Sequence, residues 1–293
     1  MNLDLKIVKK VFITGASGCV GHYVLDHFLD RKDCEVHLLL REGSQLKINL
    51  DRYPHIYRHN SNLEHIEELK ELLFEMTHVM HIATDWSNSD YARKLNMQKT
   101  LEMFSYLNPD LCEKIVYFST ASILGPGNKA IPEAGQYGPG YVRSKYLAHE
   151  ALPNSSLYDR MVILYPTLVF GGDARHPYSH ISSGILPNLH YLGLLRFIYV
   201  DGAFHFIHSK DIASVAVYTL FHQTDKQHYV LGNASLSAKE AIQGLCVFFK
   251  KRQWVRFKIS SGLVFALAAL FRIEIGSLPW FNRNFFFCFE KRL

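Results

Sequence analysis

Tyr141 and Lys145 stand four residues apart in Tyr141-Val142-Arg143-Ser144-Lys145. On a helix that spacing puts a phenol and an ammonium one turn apart on the same face. Far upstream, Thr14-Gly15-Ala16-Ser17-Gly18-Cys19-Val20-Gly21 follows the apolar run Val11-Phe12-Ile13 and opens an amphipathic stretch. Strand, glycine turn and helix in that order form a dinucleotide-binding unit. Gly15 permits the tight turn. Gly18, flanked by Ser17, Cys19 and Val20, lets backbone N–H groups approach a pyrophosphate, and Gly21 lets the helix pack close to the sheet. A lone Tyr-x-x-x-Lys on a helix is usually a solvated pair; with the glycine motif it indicates redox chemistry.

These residues need strands and helices to hold them. The spacing predicts a helix from Gly18 to about Leu29, with Val20, Val24, Leu25 and Phe28 facing a sheet. Strands are expected at 35–40, 55–58, 78–83, 115–118 and 161–164, the last closed by Pro166. Between them, Ile66, Leu69 and Leu73 have helical spacing, and Ser89 or Asp90 can cap a helix carrying Leu95, Asn96, Leu101 and Phe104. A loop rich in glycine and proline leads into the helix of Tyr141. Strands alternating with helices predict an α/β fold, a doubly wound parallel Rossmann sheet with a smaller C-terminal substrate lobe. The expected division is a dinucleotide-binding domain over 1–172 and a lobe over 173–293, with about 203–220 returning to the core.

The bulk properties agree. A chain of 293 residues with 48% hydrophobic and 20% charged residues is long enough for one large α/β domain and too apolar for disorder. The net charge of +5 suits an anionic cofactor and is too diffuse for nucleic acid. Five scattered cysteines without a CxxC pair, and a start lacking an apolar signal region, read as a cytoplasmic protein. The sixteen histidines form no ligand pattern: Pro177 separates His176 from His180, and His205 and His208 point to opposite faces of a strand. No metal site is expected. Near the C-terminus, residues 262–271 are continuously apolar but too short for a span, which needs about 20 residues. A packed or peripheral helix is expected there. Lys250, Lys251, Arg252 and Trp254 upstream leave peripheral contact with anionic lipid open.

The ordered set of motifs resembles the extended short-chain dehydrogenases/reductases, the superfamily of nucleotide-sugar epimerases, dihydroflavonol reductases and 3β-hydroxysteroid dehydrogenases. The likeness runs from Lys9 to about Gly232. It takes in the glycine loop, His81-Ile82-Ala83, Asn96, Ser119-Thr120-Ala121-Ser122-Ile123-Leu124-Gly125, Tyr141 with Lys145, Pro166 to Gly171, and Phe206-Ile207-His208 with Asp211. The resemblance implies Tyr141 as general acid in carbonyl reduction and base in the reverse direction, its pKa lowered by Lys145 and the cofactor's positive ring. It implies that Lys145 also holds ribose hydroxyls and that Thr120 donates to the substrate oxygen. Ala83 and Thr84 after the fourth strand would border the cofactor, and Pro166 with the backbone near Leu168 would orient the carboxamide. Asn96 would either relay a proton or hold its helix in place.

Departures from the family pattern carry information too. The adenine-contacting turn, commonly Asp-Leu, is Asn62-Leu63, whose amide oxygen can still accept from an adenine amine. Tyr165 replaces the usual Arg before Pro166. Ala121-Ser122 stands where dehydratases place Asp-Glu, and Phe204 where sugar-nucleotide enzymes place a diphosphate-pairing Arg. Where an NAD site would carry a carboxylate, about 20 residues past the loop, the chain has Arg41 with Ser44 close behind. NADP(H) is therefore the expected cofactor, with NAD as the alternative. Trp86, Ile123, Leu124, Phe170, Tyr178 and Phe204 suggest apolar walls around a small carbonyl or alcohol substrate. The competing readings are a nucleotide-sugar epimerase and a non-catalytic NADP-binding sensor or assembly protein; retention of Thr120, Tyr141 and Lys145 argues against the latter. Many relatives dimerise through the helix matching that of Tyr141, so the resemblance leaves a homodimer open.

Overall fold

The computed structural model describes residues 8–87, 90–188, 193, 196–199, 202–252 and 257–259. Its centre is a seven-stranded sheet built from β1 (Lys9–Thr14), β2 (Cys34–Leu40), β3 (Ile56–Asn60), β4 (His78–His81), β5 (Lys114–Phe118), β6 (Met161–Pro166) and a later strand at His228–Leu231. The spatial order is β3-β2-β1-β4-β5-β6 and then His228–Leu231, and every neighbouring pair is parallel. Strands buried on both faces read as continuous apolar runs, which is why β1, β2, β5 and β6 are legible as strands.

Alternate side chains feed two cores. Val11 and Ile13 of β1 join a cluster with Val24 and Leu25 of α1 (Cys19–Asp26), with Phe28 just past it, and with Ile212, Ala216 and Leu220 of a later helix. Phe12, between them, faces the opposite cluster with Val79, Ile115, Leu73, Phe104 and Val142. The first helix is shorter than its spacing suggests. After Asp26 the chain tightens into three-residue turns, His27 N–H to Val24 O and Phe28 N–H to Leu25 O, which keep Phe28 buried without extending the helix.

The segment after β3 begins as a 3₁₀ helix (Leu63–Leu69) and continues as α2 (Lys70–Phe74). After β4 come α3 (Asp90–Arg93), a π-helical turn (Lys94–Lys99) and α4 (Thr100–Ser105). Asp90 opens α3, while Ser89, the other expected cap, lies outside the described residues. α5 (Pro132–Tyr137) precedes α6 (Gly140–Ala151), the helix of Tyr141 and Lys145. Beyond β6 the chain makes β7 (Leu168–Phe170), α7 (His180–Asn188), β8 (Ile198–Tyr199), β9 (Ala203–Phe204), β10 (Phe206–His208) and α8 (Ser209–Phe221). Then come β11 (His228–Leu231), β12 (Leu236–Ser237), α9 (Ala238–Phe248) and β13 (Phe257–Lys258). The return to the core thus runs on past α8 to β11, which pairs with β6 in the register Val230 to Tyr165. The apolar run at 262–271 and Trp254 lie outside the described residues.

Candidate active site

The sheet order reverses between β1 and β4, and the glycine turn sits at this crevice. Gly15 has φ +79°, and a Cβ there would lie 2.6 Å from the Ala83 nitrogen at the end of β4. A Cβ on Gly21 would lie 2.1 Å from the Gly15 oxygen. Both glycines are demanded by the chain's own packing. Gly18 is not: its φ is −82°, and the nearest atom to an added Cβ is the Gly15 oxygen at 3.4 Å. Gly18 is the N-cap of α1 and supplies no side-chain cap, so no capping side chain takes the first-turn amides at the positive end of the helix. A side chain at Gly18 would occupy the cradle in front of these amides. That cradle fits a dinucleotide pyrophosphate.

A buried network ties the two strand ends that form the crevice. Ala83 N–H donates to Thr14 Oγ1 at 3.1 Å, and Thr14 Oγ1 lies 2.7 Å from His81 Nδ1. His81 Nε2 lies 2.9 Å from Thr100 Oγ1, whose proton goes to Leu95 O. The chain of donors is complete with a neutral ring carrying its proton on Nε2. Burial agrees, pushing the His81 pKa down to about 3. Sequence reasoning used His81 only as a motif residue; a histidine ending an apolar strand was the available signal.

At the end of β2, Arg41 is exposed and opens a turn closed by Ser44 N–H to Arg41 O at 3.0 Å. Asn62 differs from expectation. Its Oδ1 caps the helix at Leu63, accepting from Glu64 N at 2.7 Å and His65 N at 3.3 Å. The oxygen is thereby committed, and what Asn62 has left for a base is its amide NH2, a donor. Leu63 is buried in the core.

Asn96 is fully buried in the π-helical turn. Its oxygen accepts from Thr84 Oγ1 (3.0 Å) and Asp85 N (2.8 Å), and its amide donates to Asp85 O (2.8 Å) and Ser144 Oγ (2.9 Å). With all four hydrogen bonds made, Asn96 holds the loop after β4 against α6. This is the positioning role, and it leaves no free group for a relay. It also commits the Thr84 hydroxyl.

Thr120 follows β5 and accepts from Ser122 N at 3.2 Å, which leaves its hydroxyl proton for the hydrogen bond it shares with Tyr141. The Tyr141 pKa moves up, not down as expected: burial dominates, and the Thr120 hydrogen bond only partly opposes it. The Lys145 ammonium is fully buried too, and its Nζ donates to Phe118 O at 2.8 Å, with Tyr117 Oη at 3.5 Å and no carboxylate in ion-pair range among the described residues. Burial pulls its pKa down to about 7, so at neutral pH it is only partly cationic. Trp86 stacks on the Tyr141 ring, centroids 4.0 Å apart at 23°, and the His180 ring of α7 lies 4.9 Å from Trp86 at 54°.

The expected substrate residues divide. Ile123 is fully buried in the core beside Val142, so it cannot line a ligand. Leu124 is partly buried against the same cluster. Trp86 and Tyr178 are both more than half exposed. Phe170 stacks on Phe206 at 4.9 Å, and Phe204 lies 6.4 Å from Phe206, an aromatic row along β7, β9 and β10. Pro166 is buried at the end of β6. Leu168 commits its N–H to His205 O at 3.1 Å, because β7 pairs with β10, so that donor is not available to a carboxamide. His176 and His180 point apart. His176 stacks on Tyr23 of α1 at 3.8 Å, with nitrogens 2.7 Å from Asp26 and 2.8 Å from Asp173, and so straps the loop after β7 to the glycine helix.

Topology and cradle together define a dinucleotide-binding protein of the Rossmann type. Comparison with known proteins narrows the class: the chain belongs to the NAD dependent epimerase/dehydratase family, whose profile matches residues 11–232. A search of curated proteins returned no match. Among solved structures, the terminal R domain from the myxalamid PKS-NRPS biosynthetic pathway is 17% identical with a TM-score of 0.72, covering 96% of this chain and 78% of that one. The crystal structure of gox2253 is 21% identical with a TM-score of 0.71, covering 91% and 84%. The dTDP-glucose 4,6-dehydratase of Bacillus anthracis, determined with NAD, is 16% identical with a TM-score of 0.64, covering 87% and 85%. At these identities the likeness is one of fold. The family and the cradle support an NAD(P) cofactor.

Proposed function

We propose that the protein is an NADP-dependent oxidoreductase that reduces the carbonyl, or oxidises the alcohol, of a small, largely apolar substrate. The observation that carries this reading is the hydrogen-bonded Thr120–Tyr141 pair under the Trp86 ring, with Lys145 buried one helical turn behind. A nicotinamide held at this site would supply the hydride chemistry. Thr120 and Tyr141 orient the substrate oxygen, and the Tyr141 hydroxyl delivers its proton there as negative charge develops. The phenolate left behind is stabilised by the Thr120 hydroxyl and by Lys145 in its ammonium form. The first-turn amides of α1 hold the pyrophosphate, and Arg41 with Ser44 meets the 2′-phosphate.

An apolar substrate is favoured by the aromatic row of Phe170, Phe206 and Phe204 and by the exposed Trp86 and Tyr178. The lobe from residue 173 onward would supply the rest of its pocket. The four described cysteines are free thiols, three of them buried, which favours a reducing cytoplasm. Among the described residues no helix is long and apolar enough to cross a membrane. The test is NADPH oxidation with a panel of aldehydes and ketones, beside saturation binding of UDP- and dTDP-sugars. Turnover of apolar carbonyls that is lost in Tyr141→Phe is expected. Saturable sugar-nucleotide binding without carbonyl turnover would replace this reading with an epimerase.

A further inference from the structure

Arg58 lies in the middle of β3, opposite Leu38 of β2, with Asn60 opposite Leu40. Its guanidinium runs along the sheet toward the strand ends. Nε donates to Asn60 Oδ1 at 2.5 Å, and Nη2 donates to Ser44 O at 3.1 Å. Ser44 is the residue that closes the turn opened by Arg41. A strand side chain is thus fastened to the turn that carries the cation expected at the ribose.

We propose that Arg58 is a specificity-determining residue that completes, with Arg41, a two-guanidinium clamp on the 2′-phosphate of NADP(H). The inference rests on the NADP reading above and adds a residue from a different strand to it.

Three observations carry it. The first is charge. Neither Arg41 nor Arg58 has a carboxylate within 4.0 Å among the described residues, a state they share with Arg52, Arg143 and Arg160, whereas Arg31, Arg93 and Arg175 are paired. Arg58 brings its guanidinium to the turn that Arg41 opens, and an anion bound there would offset the repulsion between two exposed cations. Glu42 is beside Arg41 and exposed, and Asp51 lines the same cavity as Arg58, but neither closes to ion-pair distance among the described residues. The second is donor count. A guanidinium has five N–H groups in a planar fork; the Asn60 and Ser44 bonds use two, and the remainder include both on Nη1. Phosphate is the anion whose oxygens match that fork. The third is room. The crossing from β2 to β3 carries only a single 3₁₀ turn (Leu50–Arg52), and Arg58 borders an open cavity of about 470 Å³ lined also by Leu46, Ile48, Asp51 and Tyr53, though not by Arg41 or Ser44. The guanidinium is held through Nε and Nη2, and the residue is exposed.

The experiment is fluorescence titration of the full chain with NADPH, NADH and 2′,5′-ADP, in wild type, Arg58→Gln, Arg58→Lys and Arg41→Gln. Arg58→Gln is expected to weaken NADPH and 2′,5′-ADP about tenfold or more and to leave NADH within about twofold, with Arg58→Lys in between. Retained NADH binding shows that each variant is folded. Equal losses for NADPH and NADH would mean that Arg58 only props the turn, and would overturn the clamp. So would unchanged NADPH binding in Arg58→Gln, while a wild-type preference for NADPH would leave the NADP reading standing. Tighter NADH than NADPH binding in the wild type defeats the NADP reading itself, and the clamp with it, before any variant is made.

Discussion

A buried amine without a carboxylate partner is the most consequential residue-scale feature. Lys145 is held by a backbone carbonyl and a phenol, and its pKa falls to about 7 because nothing compensates its lost hydration. The unfolded chain binds a proton on this lysine up to about pH 10.4, so between about pH 7 and that value the unfolded state holds more protons than the folded one. Lys145 therefore makes stability rise with pH across that window, by at most about 1.4 kcal/mol per pH unit. Lys145→Met should flatten the rise in urea midpoints between pH 7 and 9; an unchanged slope would assign it to other groups. Tyr141→Phe keeps the ring against Trp86 and removes the proton donor. Turnover should fall by at least about a hundredfold with cofactor Kd nearly unchanged. Full activity in that variant would leave only the fold in common with the family's enzymes.

At the scale of elements, the glycine helix separates two demands that the sequence motif merges. Gly21 is required by the Gly15 carbonyl against which it packs, and Gly18 only by whatever fills the cradle. Gly18→Ala should fold with a near-native melting temperature and lose most NADPH affinity. Gly21→Ala should lose stability first. If circular dichroism showed Gly18→Ala to be the unstable variant, the cradle assignment would fail. Asn96 makes the second element-scale case. Asn96→Ala strips partners from Thr84, Asp85 and Ser144 at once. A loss of about 3 kcal/mol is expected, with the pH profile of turnover unshifted. A shifted profile with intact stability would restore the relay. The sequence singled out Asn96, Thr120 and Asn62 but could not assign their partners. Asn62 spends its oxygen on a cap, and Ile123 turns inward, because side-chain direction in short 3₁₀ turns follows local packing and no hydrophobic period reports it.

Over the whole molecule, the parallel sheet was readable because both of its faces are covered, so its strands are continuous apolar runs between turn signals. The part after β7 was not. Its strands are two to four residues long, and aromatic side chains recur there without a period. Arg58 escaped notice for a related reason: its importance comes from β2–β3 pairing, which spacing along the chain does not show. The same sheet buries three histidines, His81 completely and His37 and His78 nearly so. His37 stands on β2 and His78 and His81 on β4, the two strands that flank β1, and burial pushes their pKa values down to about 4, 4 and 3. Cations add to the effect: Lys10 near His37, Lys9 and Lys114 near His78, and Lys145 near His81. In the unfolded chain each binds a proton near pH 6.5. Below that pH the unfolded state holds more protons, so stability falls as pH falls toward 4, by at most about 4 kcal/mol per pH unit for the three together. A domain of ordinary stability, about 5–15 kcal/mol, should then unfold in mild acid. Urea midpoints should drop steadily between pH 7 and 4.5, and His81→Gln should start lower but fall less steeply. Midpoints that stay flat across this range would mean that the three rings are hydrated, and the buried network joining Thr14, His81 and Thr100 would have to be redrawn.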